Sequence, residues 1–120
     1  MLTRAEALAE LIRRVEAGEW PDASEIVLTF WGAGGNDALS LFTGCRDAFN
    51  GSLDAVARLE APLRERDWSG PLIHPPEAED PCWEALWVSE HNQEVEARAY
   101  SEAPARLLAV LRALHQEATQ

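Results

Sequence analysis

The chain has 120 residues with a formal net charge of −11 at pH 7, and its mass of 13.3 kDa is that of one ordinary domain. Because 47% of the residues are hydrophobic and 26% are charged, there is enough apolar material for a packed core, and extensive disorder is excluded. All cationic residues are arginines, and no basic cluster is longer than a pair such as Arg64 with Arg66, so direct binding to nucleic acid is disfavoured. We expect a single domain over residues 1–120.

The N-terminal sequence mixes charged and apolar residues, unlike a signal peptide, and no window approaches the roughly twenty apolar residues of a membrane span. We therefore expect a cytoplasmic protein of a bacterial host cell that has no membrane partner. Its two cysteines, Cys45 and Cys82, are expected to stay reduced.

The first predicted element is a helix that begins after Thr3. Thr3 and Glu6 have the spacing of a capping box, and Gly18 provides a stop. A turn follows at Trp20, and the β-branched and aromatic run 25–31 predicts a strand, with a helix as the alternative because the run is short. The first helix is expected to bury a stripe formed by Leu8, Leu11, Ile12 and Val15.

The middle of the chain is predicted less sharply. The glycine run 32–35 breaks the preceding element, and residues 36–50 follow neither period, so we expect a short helix or an irregular connection. Ser52 caps a further helix, which Pro62 is expected to bend or end near Ala61. Four prolines in residues 68–81 predict a loop, or at best an edge strand around residues 72–73.

Alternating residues near the C-terminal end predict a β-hairpin. Residues 82–89 place Trp83, Ala85 and Trp87 on one side, residues 90–93 form the turn, and residues 94–100 alternate again. Ser101 is expected to cap a final helix, whose buried stripe contains Leu107, Leu108, Leu111 and Leu114. The predicted fold class is therefore α+β, a small antiparallel sheet with N-terminal, central and C-terminal helices packed on it.

The negative charge is concentrated in one stretch, since eight acidic residues and no arginine lie between Asp67 and Ala97. Such a region can compete for the basic groove of a nucleic-acid-binding protein, although a solvated surface that aids solubility is the alternative. Two of the five tryptophans adjoin this stretch and are candidates for exposed interface anchors. The predicted partner-binding residues are Trp68, Glu77, Glu79, Asp80, Glu84, Trp87, Glu90, Glu94 and Glu96.

Whether the strand carboxylates share one face depends on the register of the hairpin. A slip of one residue would move Glu84, Glu94 and Glu96 to the other side of the sheet.

Three blocks of the sequence resemble the phage α-β-α sandwich domain family, a group of small phage and prophage proteins. They are residues 9–17 of the first helix, the segment Phe49-Asn-Gly-Ser-Leu-Asp-Ala55, and residues 96–113 at the C-terminal end, with the tryptophan-containing run 83–88 matching the family's upstream strand. The resemblance implies an α-β-α sandwich and a phage or prophage origin, and it implies no catalytic residues.

The sequence offers weak support for catalysis or metal binding. Gly32-Ala-Gly-Gly35 lacks the spacing of a phosphate-binding loop, and the cysteines and histidines lack zinc-ligand spacing. Cys82, His91 and Glu84 are the candidates for an enzyme, across the predicted hairpin. We expect no enzyme activity and no cofactor.

The sequence thus favours a phage or prophage accessory protein that binds another protein through its acidic surface. The sharper hypothesis is an inhibitor of a host nucleic-acid-directed defence system, of the anti-CRISPR or anti-restriction type, whose partner is a basic nucleic-acid-binding complex. The alternatives are a self-associating phage component, for which a homodimer through an exposed edge strand is one form, and a small enzyme.

Overall fold

The computed structural model describes residues 3–20 and 36–119. The predicted strand at 25–31 and the glycine run 32–35 lie outside the described residues. The helices are α1 (Arg4–Glu16), α2 (Asn36–Phe49), α3 (Leu53–Glu65) and α4 (Glu102–Ala118), and the strands are β1 (Trp68–His74), β2 (Trp83–Ser89) and β3 (Glu94–Ala99).

The first helix is the one that the sequence predicts. The Glu6 backbone N–H donates to Thr3 Oγ1 at 3.1 Å, and the Thr3 N–H donates to Glu6 Oε1 at 3.2 Å, which completes the capping box. Leu8, Leu11 and Val15 are buried, and Ile12 is partly buried against the core that they form. The capping and apolar-stripe predictions for α1 are confirmed.

The two central helices are longer than the sequence suggested. Residues 36–49 form a helix and not an irregular connection. The Ser52 hydroxyl accepts from the Ala55 N–H at 3.1 Å, so the predicted cap of α3 is confirmed. The expected end near Ala61 is wrong, because α3 continues through Pro62 to Glu65. An exposed proline in the last turn removes only one backbone hydrogen bond, which a packed helix tolerates.

The sheet is antiparallel with the order β1-β2-β3. In the β2-β3 hairpin, Trp83 lies opposite Ala99, Ala85 opposite Ala97, and Trp87 opposite Val95, so the predicted side is confirmed. The segment predicted as a loop or short edge strand is the seven-residue edge strand β1. Its ladder is interrupted by a bulge between Ser69 and Leu72.

The described helices lie on one face of the sheet. Helix α4 packs against β2 and β3 on one side and against α1 on another, while α3 contacts β1. Leu107, Leu108, Leu111 and Leu114 are buried as predicted, but so are the alanines and valine between them, because neighbours surround α4. The α+β class is confirmed, while the second helical layer of a sandwich is not found within residues 3–20 and 36–119.

Two ion-pair networks hold α4 in place. One joins α4 to α3, and the other joins α4 to the residues that directly follow α3. Glu60 is fully buried and accepts hydrogen bonds from Arg106 Nη2 and, at 3.0 Å, from Arg106 Nε. Glu117 accepts two bonds from Arg66 and one, at 3.1 Å, from the Trp68 indole N–H. These bonds connect elements whose apolar faces form the common core.

The start of α4 differs from its prediction in one detail. Ser101 has the extended backbone of an N-cap residue, but its side chain makes no capping hydrogen bond. The helix is held instead by burial of its sides, since packing stabilises helices more than local propensity does.

Candidate functional site

The face of the sheet opposite the helices carries a regular array of side chains, which we call the open face. Along each strand, residues directed at the helices alternate with residues directed away from them. Ala85 and Trp87 are 0% exposed and Ala97 is 3% exposed, so these residues identify the face of the sheet that packs against the helices. The open face therefore consists of Ser69, Leu72, His74, Glu84, Leu86, Val88, Glu94, Glu96 and Arg98.

The strand register arranges these nine residues in three rows, each with one member from each strand. The row beside the β2-β3 turn contains Ser69, Val88 and Glu94. The middle row contains Leu72, Leu86 and Glu96, and the row beside the β1-β2 loop contains His74, Glu84 and Arg98.

The middle of the open face is apolar. Leu72 is 57% exposed and lies directly opposite Leu86. Val88 belongs to the same strand as Leu86, two residues further along, so the three side chains are neighbours on one surface. The carboxylates of Glu94 and Glu96 border this apolar strip along β3. This arrangement of apolar centre and charged border is typical of protein interaction surfaces.

The structure brings some of the predicted acidic residues together and separates others. Glu84, Glu94 and Glu96 share the open face. Glu77, Glu79 and Asp80 lie in the β1-β2 loop, where backbone hydrogen bonds join the first and last of them in a tight turn. Glu90 lies at the opposite end of the sheet, in the turn between β2 and β3.

Arg98 changes the electrostatics at the loop end of the open face. It forms an ion pair with Asp80 and lies opposite Glu84 on the neighbouring strand. Arg98 lies one residue beyond the arginine-free stretch 67–97. The distribution of charge along the sequence therefore did not reveal a cation beside these acidic residues. The uncompensated carboxylates of the open face are consequently those of Glu94 and Glu96.

The prediction that Trp68 and Trp87 are exposed anchors is wrong. Trp68 is 6% exposed and Trp87 is 0% exposed, because both side chains lie on the helix side of the sheet. Leu72, Leu86 and Val88 supply the apolar surface instead. The alternation in β2 already contained this signal, since Leu86 and Val88 occupy the positions between the tryptophans and beyond them.

Two of the residues proposed for an enzyme lie at opposite ends of β2. Cys82 precedes the strand and His91 follows it, so the seven residues of β2, at about 3.3 Å each, lie between them. Cys45, the other free thiol, is 1% exposed, and its burial raises the pKa to about 12. Among the described residues, no three His, Cys, Asp or Glu side chains are placed to hold a metal ion.

Comparisons with family models, with curated protein sequences and with solved structures find no significant match to this chain. Within the described part of the chain, no helix combines the length and the apolar character needed to cross a membrane.

Proposed function

We propose that this protein is a protein-binding module whose open face docks a partner surface that is basic around an apolar centre. The observation that carries the proposal is the strand register, which places Leu72, Leu86 and Val88 beside Glu94 and Glu96 on one exposed side of the sheet. A partner can cover the apolar strip while its cations meet the two carboxylates.

The chemistry of the open face favours a protein over a nucleic acid. Phosphate backbones require several cations, whereas Arg98 is the cation of this surface and is already paired with Asp80. The net charge of −11 would speed the approach of a basic partner, and added salt would slow it.

The biological setting is a further part of the proposal. The resemblance to phage proteins supports a phage or prophage accessory role in the bacterial cytoplasm. A partner that is a nucleic-acid-binding defence complex would present the required basic groove, and occupation of that groove would inhibit it.

Affinity capture from a bacterial host lysate tests the open face against a matched control. The open-face variant carries Glu94→Gln, Glu96→Gln and Leu72→Ser, and its control carries Glu77→Gln, Glu79→Gln and Leu53→Ser. Both gain two units of charge and lose one exposed leucine, since Leu53 is 46% exposed on α3.

We expect a basic protein that is captured by the wild type and the control, is released by salt, and is lost with the open-face variant. Purified partner should bind the wild type and the control but not the open-face variant. If the partner is a defence complex, nucleic acid should compete with this protein for the partner. Equal capture by all three proteins, equal loss with both variants, or the absence of any basic partner would contradict the proposal.

A further inference from the structure

Strand β3 has one edge that no other described strand covers, because the sheet order is β1-β2-β3. In an antiparallel ladder, the residues that exchange hydrogen bonds with one neighbour alternate with residues whose N–H and C=O groups point to the other side. The hairpin identifies the two sets, since the Ser89 N–H donates to the Gln93 carbonyl at 2.8 Å.

Counting from this bonded pair, Val95, Ala97 and Ala99 direct their backbone groups toward β2. The N–H and C=O groups of Glu94, Glu96 and Arg98 therefore point outward from the sheet. These are the groups to which a further strand would bind.

We propose that the occupant of this edge is a second copy of the chain, paired antiparallel through β3 with the twofold axis at Ala97. This register places Glu96 opposite Arg98 of the second copy, and it does so twice, once on each side of the axis. The outward backbone groups of these same residues then form the ladder hydrogen bonds.

Charge complementarity selects this register over its neighbour. A shift that centres the axis on Glu96 would set two identical carboxylates directly opposite each other, which is destabilising. A guanidinium has five N–H donors, so Arg98 can bind Glu96 of the second copy while it keeps its bond to Asp80.

The residues that flank the central pairs fit the same register. Tyr100 follows β3, is 79% exposed, and would lie opposite Glu94 of the second copy. On the helix side, the half-buried Val95 would lie opposite Ala99. The sheet would then have six strands, with the two open faces side by side.

The other edge of the sheet is less suited to pairing. Strand β1 contains the bulge at Gly70 and Pro71, and two further prolines directly follow the end of the strand. Proline lacks the N–H that a ladder requires, and bulges interrupt strand pairing. The proposal therefore concerns β3 alone and predicts a closed dimer and not a filament.

Sedimentation of two charge variants, alone and mixed, tests the register. The wild-type mass should rise with concentration from 13.3 kDa toward twice that value. Glu96→Arg sets two pairs of positive charges across the axis and Arg98→Glu sets two pairs of negative charges, so each variant alone should dimerise at least about tenfold more weakly. In an equimolar mixture both central pairs are again of opposite sign, and dimerisation should return to within about threefold of the wild type.

Two controls keep the result interpretable. Glu90→Arg makes the same charge change away from the edge and should dimerise like the wild type. Glu96→Pro removes one outward N–H without touching the ladder to β2 and should weaken the dimer, while circular dichroism shows that each variant is folded. A wild type that stays monomeric, charge variants that dimerise normally, or a mixture that does not associate would overturn the proposal.

Discussion

The buried ion pair between α3 and α4 predicts unequal costs for removing its two partners. Glu60 is 0% exposed, and its partner among the described residues is Arg106. The Arg106 side chain is 15% exposed and also donates to Glu102 at 3.0 Å. Arg106→Leu therefore leaves a buried carboxylate without a partner, whereas Glu60→Leu leaves an arginine that keeps a second carboxylate and some contact with water.

The magnitudes follow from this difference. Removing one partner of a buried pair costs about 3–5 kcal/mol, so we expect that loss for Arg106→Leu. For Glu60→Leu we expect about 1 kcal/mol, since the remaining charge stays paired and the new side chain is apolar. The double variant should be more stable than Arg106→Leu alone, because it buries no charge.

Urea unfolding at pH 7, followed by far-UV circular dichroism, measures all four free energies of unfolding. The side-chain hydrogen bond to Glu60 raises the pKa of Arg106, so the arginine is charged throughout the experiment. With an unfolding entropy of about 2 cal/mol/K per residue, each kcal/mol lowers the Tm by about 4 °C, and Arg106→Leu should lower it by about 12–20 °C. Equal costs for the two single variants, or a double variant whose cost is the sum of both, would refute this account of the pair.

Three further predictions concern the backbone, the thiols and pH. Gly70→Ala should cost at least about 2 kcal/mol in urea unfolding, because φ is +141° and a Cβ would lie 2.9 Å from a backbone oxygen, whereas Gly18→Ala, at φ +77° in open space, should cost about 1 kcal/mol. A native-state thiol assay at pH 8 should label Cys82 and not Cys45, because burial raises the pKa of Cys45 to about 12. Both cysteines should react after unfolding. Hydrogen bonds from Arg13 and Arg14 lower the pKa of Glu10 from its ordinary 4.5 to about 2. This carboxylate therefore stabilises the fold above pH 4.5, and the stabilisation is lost as the pH falls through 2. Glu10→Gln should therefore be less stable than the wild type at pH 7, and the difference should vanish below pH 2.

The features that could be predicted from the sequence are those decided by residues close together in the chain. The capping box of α1 requires only Thr3 and Glu6, and the hairpin requires two alternating runs joined by a short turn. Strand β1 was harder to predict, because the prolines that argue against a strand are accommodated by its edge position and its bulge.

The features that could not be predicted depend on contacts between distant segments. Glu60 looks like a solvent-facing helical residue until α4 brings Arg106 against it, 46 positions away in the chain. Arg98 reaches the acidic loop only through the β2-β3 register, and the buried Trp68 donates its indole N–H to Glu117, 49 positions away in the chain. In each case, the position of the second residue is set by tertiary packing, which local patterns do not contain.

The alternation of the strands also separates the residues that stabilise the fold from those proposed to bind. In β2 and β3, Ala85, Trp87 and Ala97 pack against the helices, while Glu94 and Glu96 are exposed. Substitutions at exposed positions away from buried contacts usually change stability by less than about 0.5 kcal/mol. A loss of partner binding or dimerisation in the Glu94 and Glu96 charge variants can therefore be assigned to the surface itself and not to unfolding.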